Sequence, residues 1–319
     1  MRIVMTGAAG MIGRKLTTRL LDVGKIGDTR FEELHLVDIV EPEDPGDDRV
    51  STAAGDITVS GVADELAALD ADVVFHLAGV VSGEAELDLD KGLAVNLDGT
   101  RAVLDALRRA PGCPRVVFTS SIAVFGAPFP EVIPDEFHLT PLTSYGAEKA
   151  MGELLLADYS RRGLIDGIGI RLPTISVRPG APNAAASGFF SGIIREPLAG
   201  LEAVLPVPRD LVHTHASPRS AINYLMHAAA LDGDRVGARR NLTMPGVAVS
   251  VGEQIEALER VAGPEPVSLI REESDELVAE IVAGWPTRFD ARRAADLGFE
   301  SEPDYDAIIR AHIEDELTP

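Results

Sequence analysis

The first half of the chain alternates short apolar runs with longer amphipathic stretches. The apolar runs predict buried strands at residues 2–6, 34–39, 73–77 and 116–120. Helical patterns lie between them, for example at 13–21 and 95–109. Strands that alternate with helices predict an α/β fold with a doubly wound parallel sheet. Strands that are apolar along their whole length fit a sheet covered on both faces.

The amino-acid composition of the chain changes after one more helix and one more strand. We predict these two elements at about 145–162 and 167–171. Residues 173–208 are rich in Pro, Gly, Ala and Ser, as is typical of a segment that shapes a substrate site. A helical pattern returns around His227. We therefore expect two domains, a core over 1–172 to which 213–240 returns, and a smaller C-terminal substrate-binding lobe made of 173–212 and 241–319.

Charge and cysteine content narrow the range of partners. The chain has 29 Lys and Arg residues against 51 Asp and Glu residues, a formal net charge of −22. Because phosphate binding needs clustered basic residues, this balance argues against nucleic acid or an anionic membrane as partners. Cys113 is the single cysteine, so an intrachain disulfide and a cysteine zinc site are excluded, and we expect no metal. We expect Cys113 to be buried, because it precedes a predicted core strand.

The beginning of the chain has neither the charged nor the apolar region of a signal peptide. No run approaches the roughly 18 consecutive apolar residues of a membrane-spanning helix. These features and the single cysteine predict a cytoplasmic protein without a membrane segment.

The segment after the first predicted strand has the form of a phosphate-binding turn. Gly7, Gly10 and Gly13 follow the strand at a G-x-x-G-x-x-G spacing and lead into a predicted helix. The first glycine permits a tight turn, the second lets backbone approach a pyrophosphate, and the third lets the helix pack close to the sheet. Met11 and Ile12 lie at the helix N-terminus, where free N–H groups and the helix dipole attract phosphate. This context predicts that the core binds a dinucleotide.

Asp38, at the end of the second predicted strand, distinguishes between the two nicotinamide cofactors. A carboxylate in this place accepts hydrogen bonds from the adenine ribose hydroxyls and repels a 2′-phosphate. No Lys or Arg follows it at Ile39, Val40 or Glu41. We therefore predict NAD rather than NADP.

Two further turns are expected beside the cofactor. Asp56 and Ile57 follow a glycine, where we expect them to flank the adenine. The end of the 73–77 strand passes close to the cofactor at three residues, Leu77, Ala78 and Gly79. His76, in the same strand, is more typical of a structural histidine than of a catalyst.

Tyr145 and Lys149 form the candidate catalytic pair. They stand four residues apart on a predicted helix, so they share one face. A tyrosine hydroxyl is a poor base, with an unperturbed pKa of about 10, but a nearby ammonium favours the phenolate and lowers that pKa. Such a pair is suited to removing a proton from a substrate alcohol while hydride leaves for the nicotinamide.

A serine adds a third member to this pair. Ser121 follows the 116–120 strand, at the carboxyl edge where parallel sheets bind ligands. Its hydroxyl can orient a substrate oxygen through a hydrogen bond. Ser120 is the close competitor for this role.

These residues belong to a series of motifs that resembles the extended short-chain dehydrogenase/reductase superfamily, which includes sugar-nucleotide epimerases and dehydratases. The motifs occur in the superfamily's order and cover nearly the whole chain: TGAAGMIG (6–13), Asp38, GDI (55–57), HLAG (76–79), VNLDGT (95–100), TSSIAVFG (119–126), SYGAEK (144–149) and RLP (171–173). The resemblance implies a seven-stranded Rossmann core, a smaller C-terminal lobe and a homodimer formed through helices such as the one bearing Tyr145. It places the active-site residues at Ser121, Tyr145 and Lys149. It also places Asn96 and Pro173, with Tyr145 and Lys149, among the residues at the cofactor.

Within the superfamily, the segments at 78–100, 171–200 and 213–228 look like the D-erythronate dehydrogenase family. That resemblance implies NAD-dependent oxidation of the C2 hydroxyl of a four-carbon sugar acid to a 2-keto acid. A substrate carboxylate can pair with Arg or accept hydrogen bonds from Ser, Thr or Asn. The candidate substrate contacts, besides Ser121, are Ser82, Thr174, Arg178, Asn183 and Ser187.

Two other functions compete with net dehydrogenation. Superfamily dehydratases carry an acidic pair directly after the active-site Ser or Thr, and Ile122 and Ala123 stand there, so dehydration is disfavoured. A nucleotide-sugar 4-epimerase that recycles its NAD passes this test, although 173–208 offers only Arg178 and Arg195 for a substrate diphosphate. A non-catalytic NAD-binding protein is the other alternative, and the presence of both Tyr145 and Lys149 argues against it.

Overall fold

A computed structural model describes residues 1–180 and 187–317 of the chain. The described strands are, in chain order, β1 Arg2–Thr6, β2 Lys25–Ile26, β3 Thr29–Arg30, β4 Glu33–Asp38, β5 Val50–Ala54, β6 Val73–His76, β7 Arg115–Ser121, β8 Asp166–Leu172, β9 Thr174–Ile175, β10 Ala203–Leu205, β11 Val212–Ala216, β12 Asn241–Thr243, β13 Val247–Ser250 and β14 Ile270–Glu272. The described α-helices are α1 Met11–Val23, α2 Val62–Ala68, α3 Ser82–Leu87, α4 Leu89–Gly92, α5 Thr100–Leu107, α6 Ser144–Arg161, α7 Gly188–Leu198, α8 Pro218–Ala230, α9 Gly233–Val236, α10 Val251–Ala262, α11 Pro264–Val267, α12 Glu276–Ala283, α13 Arg292–Asp296 and α14 Tyr305–His312. Short π-helical segments cover Leu93–Gly99 and Ile313–Leu317, and Ile122–Val124 forms a 3-10 turn.

The chain forms two compact units. Unit 1 comprises Met1–Val124, Pro141–Arg171 and Ile222–Leu242, and unit 2 comprises Phe125–Thr140, Leu172–Ala221 and Thr243–Pro319. These boundaries differ from the predicted ones in two places. Residues 125–140 belong to unit 2, and the return of the chain to unit 1 begins at Ile222 rather than at residue 213.

Aromatic packing explains both differences. The Phe125 ring lies 5.9 Å from that of Phe289, measured between centroids, so the start of 125–140 is held by a residue of unit 2. In the predicted returning segment, β11 pairs with β9 and β13. His213 of β11 stacks on Phe190 with a centroid distance of 5.2 Å. The sequence pattern does not reveal these partners, because they lie far away along the chain.

A seven-stranded sheet runs through unit 1 in the order β12-β8-β7-β6-β1-β4-β5. The pairings β5–β4, β4–β1, β1–β6 and β6–β7 are parallel. The predicted doubly wound α/β sheet with seven strands is therefore confirmed. Its order reverses at β1, which lies between β4 and β6, and doubly wound sheets bind ligands at such a switch point, beyond the carboxyl ends of the strands.

Burial of the central strands follows the apolar runs in the sequence. Every residue of β6 is buried, and so are Ile3 to Thr6 of β1. One apolar cluster joins Val74 of β6 to Leu66 of α2 and Val103 of α5. Because strands of this kind are covered by helices, their side chains need no alternation of polar and apolar residues.

A partly buried ion pair holds the edge where β7 and β8 begin. Arg115 Nε donates to Asp166 Oδ2 at 3.1 Å, and Arg240 Nη1 donates to Asp166 Oδ1 at 2.8 Å. Arg115 Nη1 also donates to the Ala228 carbonyl at 2.7 Å, near the C-terminus of α8. A guanidinium in this place satisfies carbonyls that the end of a helix leaves without partners.

The helix predicted at 95–109 consists of two different segments. The π-helical segment Leu93–Gly99 leads into the α-helix at Thr100. A π-helix is wider than an α-helix and is often found at functional sites. Here the wider turn contains Asn96, which is fully buried.

Unit 2 has its own sheets and apolar core. A three-stranded sheet has the order β13-β11-β9, and β10 pairs in parallel with β14. Residues of α7, α10 and α14, among them Ile193, Leu258 and Ile309, form one buried cluster. No helix in the described ranges is long and apolar enough to cross a membrane.

Cys113 is exposed, so the prediction that it is buried was wrong. It lies before β7 begins, beside the exposed Pro111 and Gly112. Its thiol lies 3.7 Å from the Gly163 carbonyl oxygen. The buried apolar run of β7 begins only at Val116, three residues farther along the chain.

Candidate active site and cofactor-binding loop

The glycine turn lies at the switch point of the sheet. Gly7 follows β1 with a φ of 75°, a left-handed conformation that favours glycine. A Cβ atom on Gly7 would lie 2.5 Å from the Ala78 nitrogen, and a Cβ on Gly13 would lie 2.5 Å from the Gly7 carbonyl oxygen. The turn, the following helix and the loop after β6 therefore pack backbone against backbone.

The first turn of α1 is suited to phosphate. Gly10 is its N-cap and offers no side-chain hydrogen bond, and no acidic residue lies in the first turn. The N–H groups of Met11 and Ile12 therefore begin a helix whose positive end is not neutralised. A Cβ on Gly10 would approach only the Gly7 carbonyl, at 3.3 Å, so the turn is open on its other side. These features fit the pyrophosphate of a dinucleotide.

Asp38 is tied to the glycine turn. It ends β4, and its Oδ2 accepts a hydrogen bond from the Ala9 N–H at 2.9 Å. Its Oδ1 accepts from the Ile39 N–H at 2.7 Å. The carboxylate is only partly buried and keeps lone pairs for a ribose.

The two residues predicted from the GDI segment, Asp56 and Ile57, have different environments. Asp56 is partly buried, and its Oδ1 accepts from the Thr58 N–H at 2.9 Å. Ile57 is 6% exposed and belongs to the apolar cluster of unit 1. Its Cδ1 would lie 2.8 Å from a Cβ on Gly99. The Ile57 side chain is therefore a core residue, and only its backbone is left to face a ligand.

The loop after β6 joins the glycine turn to Asn96. Leu77 and Ala78 are the backbone neighbours of Gly7. Asn96 Oδ1 accepts from the Val80 N–H at 3.0 Å. A Cβ on Gly79 would lie 2.8 Å from Asn96 Oδ1 and 3.4 Å from Lys149 Nζ. Only a glycine fits between these two side chains.

The structure separates the two candidate serines. Ser120 is buried and donates to Glu153 Oε1 at 2.6 Å, and Glu153 forms a buried ion pair with Arg171. Ser121 is partly buried, and its Oγ accepts from the Ala123 N–H at 3.1 Å. The Ser121 side chain is near enough to the Tyr145 hydroxyl to lower its pKa. Successive residues of a strand point to opposite faces, so only Ser121 meets the tyrosine.

Helix α6 carries Tyr145 and Lys149 on its first two turns. Thr143 caps the helix, since its side chain accepts from the Gly146 N–H at 3.0 Å. A Cβ on Gly146 would lie 2.1 Å from the Ala123 carbonyl oxygen. The start of α6 therefore touches the backbone directly after β7, and this contact brings Tyr145 to Ser121.

The charge state of Tyr145 differs from the sequence-based expectation. Burial raises the pKa of Tyr145 to about 12, the Ser121 hydrogen bond opposes the rise, and the Glu148 charge adds to it. We predicted a pKa lowered by Lys149, which was wrong for the chain alone. The main reason is burial of the hydroxyl. Lys149 Nζ lies over the tyrosine ring, 5.8 Å from its centroid.

Lys149 is a buried amine. It is 3% exposed, and burial lowers its pKa to about 8 while the Glu148 charge opposes the change. Its Nζ also lies 5.0 Å from the centroid of the Phe118 ring. Near neutral pH the pair is therefore a neutral tyrosine beside a mostly charged lysine.

His76 is structural, as predicted. It is fully buried, with Nδ1 2.8 Å from Thr6 Oγ1 and Nε2 2.9 Å from Thr100 Oγ1. Burial lowers its pKa to about 3, so it stays neutral.

The remaining candidate residues are dispersed. Ser82 begins α3 in unit 1, and Pro173 lies in unit 2, between β8 and β9. Also in unit 2, Thr174 Oγ1 lies 2.7 Å from His213 Nε2, which commits its hydroxyl to the core. Asn183 lies outside the described residues.

Arg178 and Ser187 meet in unit 2. Arg178 Nη2 donates to Ser187 Oγ at 3.1 Å, and the arginine backbone N–H donates to Ser191 Oγ at 3.0 Å. Burial lowers the pKa of Arg178, and the neighbouring Arg195 adds to this effect. In the ranges 1–180 and 187–317, no carboxylate forms an ion pair with Arg178.

Three residues that sequence reasoning did not single out define the geometry of the pair: Thr143, Gly146 and Glu148. All three lie in or beside the SYGAEK motif, so their proximity to Tyr145 was the available signal. Their contacts with Ala123, Asn96 and Gly92 are tertiary and leave no local pattern. In the described part of the chain, no group of three or more His, Cys, Asp or Glu residues is placed to hold a metal ion.

Comparison with known proteins decides the family. Residues 3–215 match the NAD dependent epimerase/dehydratase family. The chain belongs to this family. The superfamily predicted from the motifs is thereby confirmed.

Two relatives in the epimerase/dehydratase family match over essentially their full length. A D-erythronate dehydrogenase of Cupriavidus necator is 46% identical over 99% of this chain and 98% of its own. A D-erythronate dehydrogenase of Haemophilus influenzae is 39% identical over 98% of this chain and 99% of its own. The prediction of an NAD-dependent oxidoreductase is confirmed.

A solved structure extends the comparison. A protein from Agrobacterium tumefaciens described as a nucleoside-diphosphate-sugar epimerase superposes with a TM-score of 0.97 and 58% identity. The match covers 99% of this chain and 94% of that one. The same fold and family thus include a relative described by the competing activity.

We expect Ser121→Ala to impair mainly catalysis and Ser120→Ala to impair mainly stability. Ser121→Ala removes the hydroxyl that lies near Tyr145 and should lower kcat about 100-fold with little change in stability. Ser120→Ala leaves buried Glu153 one hydrogen bond short and should lower the free energy of unfolding by about 1–3 kcal/mol. Steady-state kinetics and denaturant unfolding of both variants measure this, and equal losses of kcat would contradict the assignment of Ser121.

Proposed function

We propose that this protein oxidises the C2 hydroxyl of a small sugar acid with NAD, and that its substrate is D-erythronate, which becomes 2-dehydro-D-erythronate. Tyr145, with the Ser121 side chain near its hydroxyl and buried Lys149 over its ring, carries the chemical part of the proposal. The full-length likeness to two D-erythronate dehydrogenases supports the choice of substrate.

Tyr145 is the proposed general base. As a phenolate that has first released its own proton to solvent, Tyr145 takes the proton of the C2 hydroxyl, while Ser121 donates to the substrate oxygen and fixes its position. When bound, NAD supplies the hydride acceptor and a positively charged nicotinamide ring. A positive charge near the Tyr145 hydroxyl favours the phenolate. Such a charge is needed for oxidation, because in the chain alone the pKa of Tyr145 is about 12.

Lys149 supports the proton transfer through its charge. Its pKa of about 8 leaves the ammonium present at neutral pH and lost as the pH rises through that value. The ammonium lies over the tyrosine ring and does not reach a carboxylate among the described residues. The positive charge of Lys149 therefore acts on the tyrosine and its surroundings and is not neutralised in an ion pair.

Arg178 is the proposed partner of the substrate carboxylate. Its guanidinium is partly buried, donates to Ser187 and has no ion-pair partner in the described ranges. A buried guanidinium without a carboxylate favours binding of an anion. Among the other candidates, Ser82 and Asn183 stay proposals, while the hydroxyl of Thr174 already contacts His213.

Nucleotide-sugar epimerisation is the second candidate function, favoured by the likeness to the Agrobacterium protein. The two functions differ in the fate of the hydride, which an epimerase returns to its substrate. With D-erythronate and excess NAD, a dehydrogenase accumulates free NADH, measured by absorbance. An epimerase accumulates none and converts a nucleotide sugar to its epimer without net redox change.

We expect Tyr145→Phe to lower kcat on D-erythronate about 1,000-fold, because the phenyl ring cannot accept the proton. NAD affinity, measured by calorimetry, should change little. Tyr159→Phe is the matched control, since Tyr159 lies on the same helix with its hydroxyl on Asp105. A Tyr145→Phe enzyme with full activity would contradict the assignment of Tyr145 as the general base.

We expect Asp38→Asn to relax the preference for NAD. The amide keeps an acceptor for the Ala9 N–H but loses the charge that repels a 2′-phosphate. The ratio of kcat/KM for NAD over NADP should fall about tenfold, which corresponds to about 1.4 kcal/mol. Asp48→Asn, at an exposed acid of the loop after β4, is the control. An unchanged ratio in Asp38→Asn would contradict the role of this carboxylate.

We also propose that the protein is a homodimer that pairs through α6. Met151 and Leu154 on this helix are 40% and 64% exposed, and Leu87 and Leu89, at the end of α3 and the start of α4, are also exposed. Both α3 and α4 pack against α6. Exposed apolar residues grouped on one face are typical of an association surface. A second copy of the same face is self-complementary about a two-fold axis.

We expect Leu154→Glu to yield monomers in sedimentation velocity, because it places a charge in an apolar interface. Leu201→Glu is the matched control, at a leucine of similar exposure in unit 2. Wild-type protein that sediments as a monomer, or a Leu154→Glu dimer, would exclude pairing through α6.

A further inference from the structure

Glu148 lies between Tyr145 and Lys149 in the chain and has an unusual environment for a carboxylate. It is 1% exposed. Its Oε2 accepts from Asn96 Nδ2 at 2.7 Å, whereas Oε1 has no hydrogen-bond partner among the described residues. Burying a partly satisfied carboxylate costs free energy. A glutamine would keep the Asn96 bond at lower cost, so the charge itself needs an explanation.

The surroundings of Oε1 are closely packed. A Cβ on Gly92 would lie 2.5 Å from this oxygen, so the end of α4 approaches the carboxylate with backbone alone. Ala85 of α3 lies on the same side, at 3.1 Å from that Cβ position. The carboxylate is therefore held in a fixed place rather than free to turn toward solvent.

Asn96 connects Glu148 to the loop after β6. Its Nδ2 donates both to Glu148 and, at 3.3 Å, to the Val80 carbonyl, and its Oδ1 accepts from the Val80 N–H. The same loop meets Lys149, because a Cβ on Gly79 would lie 3.4 Å from Nζ. Glu148, Asn96, the Gly79–Val80 turn and Lys149 thus form one connected set.

Glu148 is the acid that acts on Lys149. Burial lowers the pKa of Lys149 and the Glu148 charge raises it. The other groups that face the amine are the rings of Tyr145 and Phe118 and the imidazole of His76. His76 has a pKa of about 3 and stays neutral, so it contributes no negative charge.

We propose that Glu148 is a positioning residue for the catalytic pair: its hydrogen bond to Asn96 fixes the Gly79–Val80 turn that packs against Lys149, and its buried carboxylate acts on that amine through its charge. This inference rests on the function proposed above for Tyr145 and Lys149. Glu148 acts through its neighbours and needs no contact with substrate.

The sign of the effect follows from the two pKa values. Glu148 raises the pKa of both Lys149 and Tyr145. Removal of its charge lowers both. Lys149 then loses its proton at a lower pH, and Tyr145 becomes a phenolate at a lower pH. The whole pH profile of kcat/KM should therefore move toward acid.

The test separates the effect of the negative charge at position 148 from the effect of the side-chain shape. For Glu148→Gln we expect both limbs of the kcat/KM profile on D-erythronate to shift down by about 1 pH unit. Glu148→Asp keeps the charge and should return the profile toward wild type. Asp158→Asn removes an exposed acid from the same helix and should leave the profile unchanged.

Glu148→Met gives a second measurement that does not depend on the fold of the Gln variant. Replacing a buried charge by an apolar side chain of similar volume is often tolerated, and the same acid shift is expected. A folded Gln or Met variant with the wild-type profile would overturn the proposal. That result together with an inactive Tyr145→Phe leaves the proposed function standing, whereas full activity of Tyr145→Phe removes both.

Discussion

The backbone contact between Gly146 and Ala123 is the constraint on which the candidate site depends. It sets how closely α6 approaches the end of β7, since a Cβ on Gly146 would lie 2.1 Å from the Ala123 carbonyl oxygen. The Thr143 cap fixes where the helix begins, which places Tyr145 in its first turn and Lys149 one turn later. Ser121, two residues before Ala123, then meets the tyrosine hydroxyl. A side chain at position 146 would move all three functional groups at once.

The electrostatics of the site follow from burial more than from pairing. Lys149 is held by burial, ring faces and the single charge of Glu148, not by a direct ion pair. The chain alone therefore stores a proton on Tyr145 and a positive charge on Lys149. A pKa of about 12 makes the Tyr145 hydroxyl a weak acid in the chain alone, so it keeps its proton near neutral pH.

Much of the sheet and of the catalytic pair was predictable because their signals are local. Strand β1, the glycine turn and α1 follow from neighbouring residues, and Tyr145 and Lys149 share a face by helical spacing alone. The residues alone leave Ser120 and Ser121 open, and the family resemblance places the role at Ser121; the contacts that separate the two serines involve Glu153 and Arg171, which lie farther along the chain. The raised pKa of Tyr145 was missed because spacing does not show that its hydroxyl is buried. Spacing indicates that a lysine is near, but not whether its amine reaches the hydroxyl or the ring.

Glu148 shows the limit of pattern reasoning most clearly. A glutamate on a helix usually indicates a solvated face, and nothing in the SYGAEK motif distinguishes this one. Its burial comes from Gly92 and Asn96, in a segment whose π-helical form was itself not predicted. We placed residues 213–221 in the segment that returns to unit 1, because the pairing of β11 with β9 and β13 is set by tertiary packing and leaves no local pattern.

The link between Asp38 and the Ala9 N–H has a consequence for cofactor engineering and for evolution. One carboxylate both faces the expected ribose position and holds the turn that faces the expected phosphate position. Cofactor choice and loop geometry are therefore not independent traits in this chain. A residue that welcomes a 2′-phosphate must also supply an acceptor for Ala9, or a second substitution must do so. A substitution at position 38 that supplies no acceptor would loosen the turn as it changes the cofactor preference.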